Sequence, residues 1–322
     1  MSNLPRIAKS ILITGGAGFI GSNFIAYILE QNENVRIINL DKLTYAGDLT
    51  NLAEIENNKR YNFVHGDIAD RHLVDDLFDK YGIDGVFHFA AESHVDNSID
   101  NPDNFVETNI MGTYVLLESA RKYWRPSLRS ESKNRFHHIS TDEVYGSLGN
   151  EGFFTEQTPY APNSPYSATK AAADFLVRSY HHTYGLNVVT SNCSNNYGPK
   201  QHDEKLIPTI IRSAIKGDAI PIYGKGNNVR DWLFVEDHCR AILEIYNRGK
   251  TGETYLVGGN NERNNLYIAN TICELLDNIR PRSSGSYKTQ IEFVEDRPGH
   301  DFRYAIDASK IEKELHWKPE MS

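Results

Sequence analysis

Ile11-Leu-Ile-Thr-Gly-Gly-Ala-Gly-Phe-Ile-Gly21 decides how this chain is read. An unbroken apolar run such as Ile11-Leu12-Ile13 suits a strand covered on both faces, as in a parallel sheet. Gly15, Gly18 and Gly21 then recur at three-residue spacing and lead into a helix predicted over Phe19–Glu30. Glycines at these points permit a tight turn, close approach of a pyrophosphate to the backbone, and close packing of helix on strand. The helix N-terminus adds unpaired N–H groups and a positive dipole end. Asp41 closes the next apolar run about 20 residues later, where a carboxylate accepts from ribose hydroxyls and repels a 2′-phosphate. The combination favours NAD over NADP; the bland alternative is a packing turn with a capping aspartate.

The same region could mislead. Ser10–Leu29 carries no charge and follows Arg6 and Lys9, superficially like a signal peptide or membrane span. Its four glycines, with Thr14, Ser22 and Asn23, fit a buried strand turning into a helix better. No other candidate span is present.

The 322 residues are 39% hydrophobic and 24% charged, which excludes collagen, coiled coil and disorder. Lys plus Arg number 34 against 43 Asp plus Glu, a net charge of −9. That balance argues against a general binder of nucleic acid or anionic membranes, and leaves room for one anionic small molecule in a local arginine pocket. Cys193, Cys239 and Cys273 form no C-x-x-C pair. Neither a disulfide framework nor a metal site is suggested, and a cytoplasmic setting fits.

Strands are predicted at Ile11–Thr14, Arg36–Leu40, Asn62–His65, Gly85–Phe89, Phe136–Ser140 and Asn187–Ser191. Between them, helices are predicted at Phe19–Glu30, Asp70–Lys80, Phe105–Tyr123 and Pro165–Tyr184. This alternation implies an α/β fold, a Rossmann-type doubly wound parallel sheet, over residues 1–198. After Gly198-Pro199 the rhythm loosens. Residues 199–322 read as a smaller mixed α/β substrate lobe, with chain exchange between lobes allowed for. Its strands are predicted at Ala219–Tyr223, Thr254–Val257 and Ile291–Val294, and its helices at Leu206–Lys216, Glu236–Asn247 and Leu266–Ile279.

Several loops converge at the carboxyl ends of the strands, where such sheets bind ligands. Asp67, in His65-Gly-Asp-Ile68, either reaches an adenine edge or caps the helix that starts near Asp70. Phe89-Ala90-Ala91-Glu-Ser93 places small residues where a cofactor would lie against the backbone. Tyr166 and Lys170 share a helix face, behind an N-cap at Ser164 and a proline at the first helical position. An ammonium beside a phenol favours the phenolate, a base for an alcohol proton. Lys170 is also placed to bond a nicotinamide ribose. Thr141-Asp142-Glu143 adds an acid pair that simple alcohol oxidation does not need: one carboxyl to protonate a leaving group, one to take a proton from carbon. A solvated acidic turn is the alternative. Arg230 and Arg297 sit among Gly, Asn and Pro, where they could clamp a diphosphate.

Taken jointly, these motifs resemble the extended short-chain dehydrogenase/reductases acting on nucleotide sugars, and among them the dTDP-glucose 4,6-dehydratase group. The likeness runs from about Ile11 to Pro319. It includes Ala90–Asp96, Thr141–Glu143, Ser194–Pro199, Arg230–Trp232 and Asp296–His300. The resemblance implies tightly bound NAD, regenerated each turnover, and conversion of dTDP-glucose to the 4-keto-6-deoxy sugar plus water, in deoxysugar biosynthesis of the dTDP-rhamnose type. It implies that Tyr166, Lys170 and Thr141 serve C4 oxidation, that Glu143 takes the C5 proton, and that Asp142 protonates the C6 hydroxyl.

By the same resemblance Phe19, Ile20, Lys42, Leu43, Thr44, Ile68, Ser93, Thr108 and Asn196 join the cofactor set. Ser93, Thr141 and Asn195 would meet the sugar or phosphates. Lys205, Leu206, Pro221, Tyr223, Arg230, Asn265, Asp296, Arg297 and His300 would hold the nucleotide. The thymidine base rests on resemblance alone. Relatives commonly pair as homodimers through helices corresponding to Phe105–Tyr123 and Pro165–Tyr184. They usually continue past Pro319 into a further helix, whereas this sequence ends at Ser322. The rivals are another NAD-dependent nucleotide-sugar epimerase or dehydratase of this fold, and a non-catalytic dinucleotide sensor.

Overall fold

The computed structural model describes residues 8–125 and 133–321, so Arg6 lies outside the described residues. In chain order, β1 (Ser10–Thr14) leads to α1 (Phe19–Gln31), β2 (Arg36–Asp41), β3 (Tyr61–His65), α2 (Arg71–Tyr81) and β4 (Gly85–His88). Helices α3 (Val95–Asp100), α4 (Asp103–Phe105) and α5 (Thr113–Trp124) precede β5 (Arg135–Thr141), α6 (Pro165–Tyr184) and β6 (Val188–Cys193). Then come β7 (Asn195–Tyr197), α7 (Leu206–Lys216), β8 (Ile220–Tyr223), β9 (Val229–Phe234) and α8 (Val235–Arg248). The chain closes with β10 (Thr254–Val257), β11 (Glu262–Asn264), α9 (Asn265–Ile279), β12 (Ile291–Val294) and α10 (Ser309–Leu315).

The central sheet runs β3-β2-β1-β4-β5-β6-β10, parallel throughout. The unbroken apolar strand is explained by its two covered faces. Ile11 and Ile13 point into one cluster with Phe24, Ile25 and Ile28 of α1, while Leu12 points into the other with Val74, Leu116 and Val177. All three β1 residues are fully buried, and each contributes about 1.5–3 kcal/mol by leaving water. The strand order reverses between β1 and β4, which opens a crevice above their carboxyl ends.

Two elements expected in the smaller lobe belong to the central layer. β10 pairs parallel with β6 as the seventh strand, and α8 lies against the β1 face, with Val235, Cys239, Ile242 and Tyr246 in the α1 cluster. The reason is burial: both elements present large apolar faces that the second lobe, with its two- and three-stranded sheets, does not cover. That lobe keeps β8 and β12 under α7 and α9, around Ile210, Ile220, Ile222, Ala269 and Tyr287. Strands β7, β9 and β11 form a separate small sheet, and sequence patterning had not indicated them.

The single helix expected over Phe105–Tyr123 is broken. Val106–Gly112 is a π-helix between α4 and α5. Asn109 within it accepts from Glu92 N at 2.9 Å and donates to Glu92 O at 3.1 Å and to Thr169 Oγ1 at 2.9 Å. Such bulges commonly occur where a helix serves a site.

Candidate active site

Gly15 is in the left-handed region at φ 70°, and a Cβ there would lie 2.6 Å from Ala90 N. At Gly21 a Cβ would meet Gly15 O at 2.3 Å. Gly21 therefore lets the loop close on itself, and Gly15 lets it pack against the segment after β4. The Cβ direction of Gly18 meets only Gly15 O, at 3.3 Å. Asp41 accepts from Ala17 N and Leu43 N, both at 2.8 Å, which ties the glycine loop to the end of β2. Each of its oxygens accepts only one of these bonds, and the residue lines the crevice. Asp67 pairs with Lys42 at 2.6 Å and accepts from Ala69 N, while the cap of α2 is Asp70. The capping alternative for Asp67 thus falls to its neighbour.

These residues line one open crevice of about 300 Å³, the size of a small-molecule site. Gly15, Gly18, Phe19, Ile20, Gly21, Asp41, Lys42, Thr44, Asp67 and Ile68 form its cofactor end. Phe89, Ala90, Ala91, Ser93, Thr108, Asn195, Asn196 and Lys205 continue it to Thr141, Asp142, Glu143, Tyr166 and Lys170. A glycine cradle with a helix N-terminus and a ribose-ready carboxylate fits a dinucleotide. Leu43 donates its backbone N–H to Asp41, packs its side chain against the α1 cluster and does not line the crevice.

The reacting end is built by a helix start and a strand end. Ser164 Oγ accepts from Ser167 N and Ser167 Oγ accepts from Ser164 N, each at 3.1 Å, with Pro165 at the first helical position. This box sets the first turn of α6, and with it Tyr166 and Lys170. Lys170 Nζ donates to Ile139 O of β5 at 2.8 Å. Thr141 caps the turn after β5 by accepting from Glu143 N at 3.3 Å, and its hydroxyl donates to Asp142 Oδ1 at 3.4 Å.

The two acids sit in different surroundings. Asp142 is 2% exposed; burial, then the Glu143 and Asp231 charges, push its carboxyl well above the usual range. Glu143 is only partly buried. Burial raises it too, but the charges of Arg297, Arg230 and Lys205 oppose that rise. The arrangement separates a carboxyl pushed well up from one whose rise three cations oppose, the kind of split that acid–base pairs require. Tyr166 differs from expectation. Burial and the Glu143 charge hold its phenol well above the ordinary value, against the pull of Thr141. Desolvation dominates in the resting chain, so the phenol keeps its proton there.

Leu206, Pro221, Tyr223, Arg230, Asn265, Asp296, Arg297 and His300 do not line the crevice. Tyr223, on the exposed face of β8 with Pro221, reaches Asp96 at 3.5 Å, and Arg297 reaches Asp96 at 3.2 Å. His300 binds Asp296 and packs edge-on to Tyr223, so Asp96, Tyr223, Asp296, Arg297 and His300 make a rim cluster. Asn265 and Leu206 begin α9 and α7. Arg230 is 6% exposed; it donates to the carbonyls of Val229, Asp301 and Phe302 and lies 4.2 Å over the Tyr304 ring. Most of its fork is thus committed to the protein.

Sequence reasoning missed Glu92, Asn109, Cys193, His202 and Glu204. All but Asn109 line the crevice. Glu92 and Cys193 fall within or beside quoted motifs, whereas Asn109 has no motif and only the π-turn exposes its role. Among the described residues no group of three His, Cys, Asp or Glu side chains is placed to hold a metal, and no helix is long and apolar enough to cross a membrane.

Residues 12–322 match the family model described as GDP-mannose 4,6 dehydratase. A dTDP-glucose 4,6-dehydratase of Xanthomonas campestris pv. campestris is 57% identical, covering 96% of this chain and 88% of that protein. One from Escherichia coli is 55% identical at the same coverage. Among solved structures, the dTDP-glucose 4,6-dehydratase of Streptomyces venezuelae with NAD and TYD bound is 44% identical at TM-score 0.88, covering 97% of this chain and 92% of its own. The Bacillus anthracis enzyme in complex with NAD is 45% identical at TM-score 0.86, with 98% and 93% covered. Identity at this level spans both lobes, and by it the chain belongs to the dTDP-glucose 4,6-dehydratase family.

Proposed function

We propose that this protein converts dTDP-glucose to dTDP-4-keto-6-deoxyglucose and water, a hydro-lyase reaction run with a resident NAD. The observation that carries the reading is the acid pair Asp142–Glu143 at the crevice, one carboxyl biased to hold a proton and its neighbour set against three cationic side chains. Bound NAD would supply the hydride acceptor at C4 and the donor at C6, unchanged over a turnover. Gly15, Gly18, Gly21, Asp41 and Asp67 would hold its dinucleotide, and Lys170 its second ribose.

In this reading Tyr166 takes the C4 hydroxyl proton. Thr141 lowers its phenol, and the Lys170 ammonium assists. Glu143 then removes the C5 proton, made acidic by the adjacent ketone, while Asp142 delivers its proton to the C6 oxygen as water leaves. Ser93 and Asn195 face the sugar and phosphates from the crevice wall. The rim cluster of Tyr223, Arg297 and His300, with Lys205, Leu206, Pro221, Arg230, Asn265 and Asp296, would receive the nucleotide. Residues 1–198 then serve mainly the cofactor and 199–322 the nucleotide sugar, with β10 and α8 returned to the cofactor layer.

A homodimer is proposed through α5 and α6 and the π-turn before α5, which expose Val106, Met111, Phe175 and Tyr184; light scattering on the purified protein tests it. Three buried free cysteines suit the reducing cytoplasm. The function is tested by incubating purified protein with dTDP-glucose or UDP-glucose, with and without added NAD, and following sugar-nucleotide mass. Loss of one water from the thymidine substrate, with NAD at most catalytic, is expected. An unchanged mass with a new epimer would install a 4-epimerase instead, and cofactor binding without any turnover would install a sensor.

A further inference from the structure

Asp174 lies on α6 one turn beyond Lys170, on the same helix face, and is 5% exposed. Among the described residues it caps nothing and pairs with no surface cation. Tyr160 donates its hydroxyl proton to Asp174 Oδ2 at 2.8 Å, and Asn192 Nδ2 donates to the same oxygen at 3.1 Å. His138 Nε2 stands 3.0 Å from Oδ1. Side chains from β5, β6 and the segment before α6 thus converge on one carboxylate beneath the reacting end. A charge withdrawn from water persists inside a protein only with a partner charge and well-formed hydrogen bonds.

Lys170 shares that predicament. It is 4% exposed, and the hydrogen bond of its Nζ goes to a neutral carbonyl. Burial draws it toward the neutral amine, and Asp174 is foremost among the groups opposing this. In the other direction, His138 and Lys170 both help keep Asp174 ionised against burial.

We propose that Asp174 is a positioning residue for the alcohol-oxidising pair: the buried counter-ion that keeps Lys170 an ammonium, itself held in place by the hydrogen bonds of Tyr160 and Asn192, with His138 beside it. The inference rests on the Tyr166/Lys170 reading above. The other titratable neighbours do not replace it. Cys193 of β6 faces Lys170 as a thiol pushed up to about 12, hence uncharged. His138 is drawn down by burial and by the Lys170 charge, and its neighbours His88 and His137 lie well below their ordinary value. Tyr145 and Tyr160 are phenols that burial and Asp174 itself push upward. Asp142 and Glu143 act on Tyr166 rather than on Lys170.

The test is the pH dependence of single-turnover C4 oxidation in the NAD-loaded Asp174→Asn enzyme. If Lys170 loses its charge with its counter-ion, Tyr166 becomes harder to ionise and the acidic limb moves up by about 1–3 pH units. A limb that stays in place, or moves down as it would if only the Asp174 charge were lost, overturns the proposal. Lys170→Met is run alongside: if it changes neither rate nor limb, the Tyr166/Lys170 reading itself fails, whatever Asp174 does. Should Asp174→Asn fold poorly, thermal stability decides. An uncompensated lysine predicts that Lys170→Met/Asp174→Asn melts above the Asp174→Asn single variant. A double variant no more stable than the single one overturns the counter-ion role.

Discussion

Arg297 Nη1 reaches Asp96 Oδ1 at 3.2 Å, joining the helix that follows β4 to the Asp296–His300 loop of the second lobe. The pair bridges the two sides of the cleft, and Tyr223 approaches the same carboxylate at 3.5 Å. Asp96 therefore holds the arginine that the proposed reading assigns to a substrate phosphate. Its side chain is 39% exposed and that of Arg297 20%, so the pair contributes little to stability. Asp96→Asn should leave unfolding free energy within about 1 kcal/mol of the parent. Arg297→Ala, losing a charge-assisted phosphate contact, should raise KM for the sugar nucleotide by about 10–100-fold. Chemical denaturation and steady-state kinetics check the two statements, and an unaltered KM would remove Arg297 from the diphosphate site.

Glu143→Gln should still oxidise C4 but eliminate water slowly, by about 10²–10⁴-fold. Reduced cofactor should then accumulate in a single turnover, with sugar mass lower by two hydrogens rather than by water. Elimination at the parental rate would assign the C5 proton to another group.

The split surroundings of the two acids predict a bell-shaped pH profile for elimination. Glu143 must be ionised, so rate falls as pH drops through its raised value; Asp142 must hold a proton, so rate falls as pH rises through its own. Asp142→Asn should lower the plateau and abolish the alkaline limb, which rate measurements across pH will show. Persistence of that limb would point to a different acid.

His88, His137, His138 and His238 are buried and held below the ordinary histidine value mainly by burial, His238 to about 3. With folded values depressed, the unfolded chain binds more protons once pH falls below about 6.5. Stability is therefore full above that point and lost on acidification toward the folded values, by about 1.4 kcal/mol per pH unit for each histidine fully engaged. Urea midpoints measured between neutral and mildly acidic pH should fall accordingly; a flat profile would mean that these imidazoles take up protons in the native state.

Gly15→Ala places a Cβ against Ala90 N at a backbone φ of 70°. The strain should cost about 1–3 kcal/mol and widen the cofactor loop, so the variant should purify with less NAD and melt earlier. Full cofactor content and parental melting would show that the loop shifts freely.

What was legible in the sequence was whatever depends on neighbours along the chain. The alternation of apolar runs and helical periods yields β1 to β6 with α1, α2 and α6, because a strand covered on both faces must be apolar throughout; α3 and the π-turn before α5 were not legible. The capping box at Ser164, the glycine spacing and the Tyr166–Lys170 interval are likewise local, since a turn or a single helix face specifies them. The family motifs, being short and contiguous, singled out the acid pair, although its spacing alone fitted a solvated acidic turn equally well.

Only the tertiary structure decided the rest. It gave β10 and α8 to the central layer, because burial of an apolar face is settled by what lies opposite and not by position in the chain. It committed most of the Arg230 fork to backbone carbonyls and left Arg297 at the rim beside Asp96, a partner distant in sequence. It raised the Tyr166 phenol that sequence spacing suggested would be lowered, because desolvation depends on every atom packed around a group. Asp174 shows the same limit: along the chain it is one more acid on an amphipathic helix, and folding makes it a buried charge beneath Lys170. Ionisation inside a protein follows the enclosing volume, which no linear interval encodes.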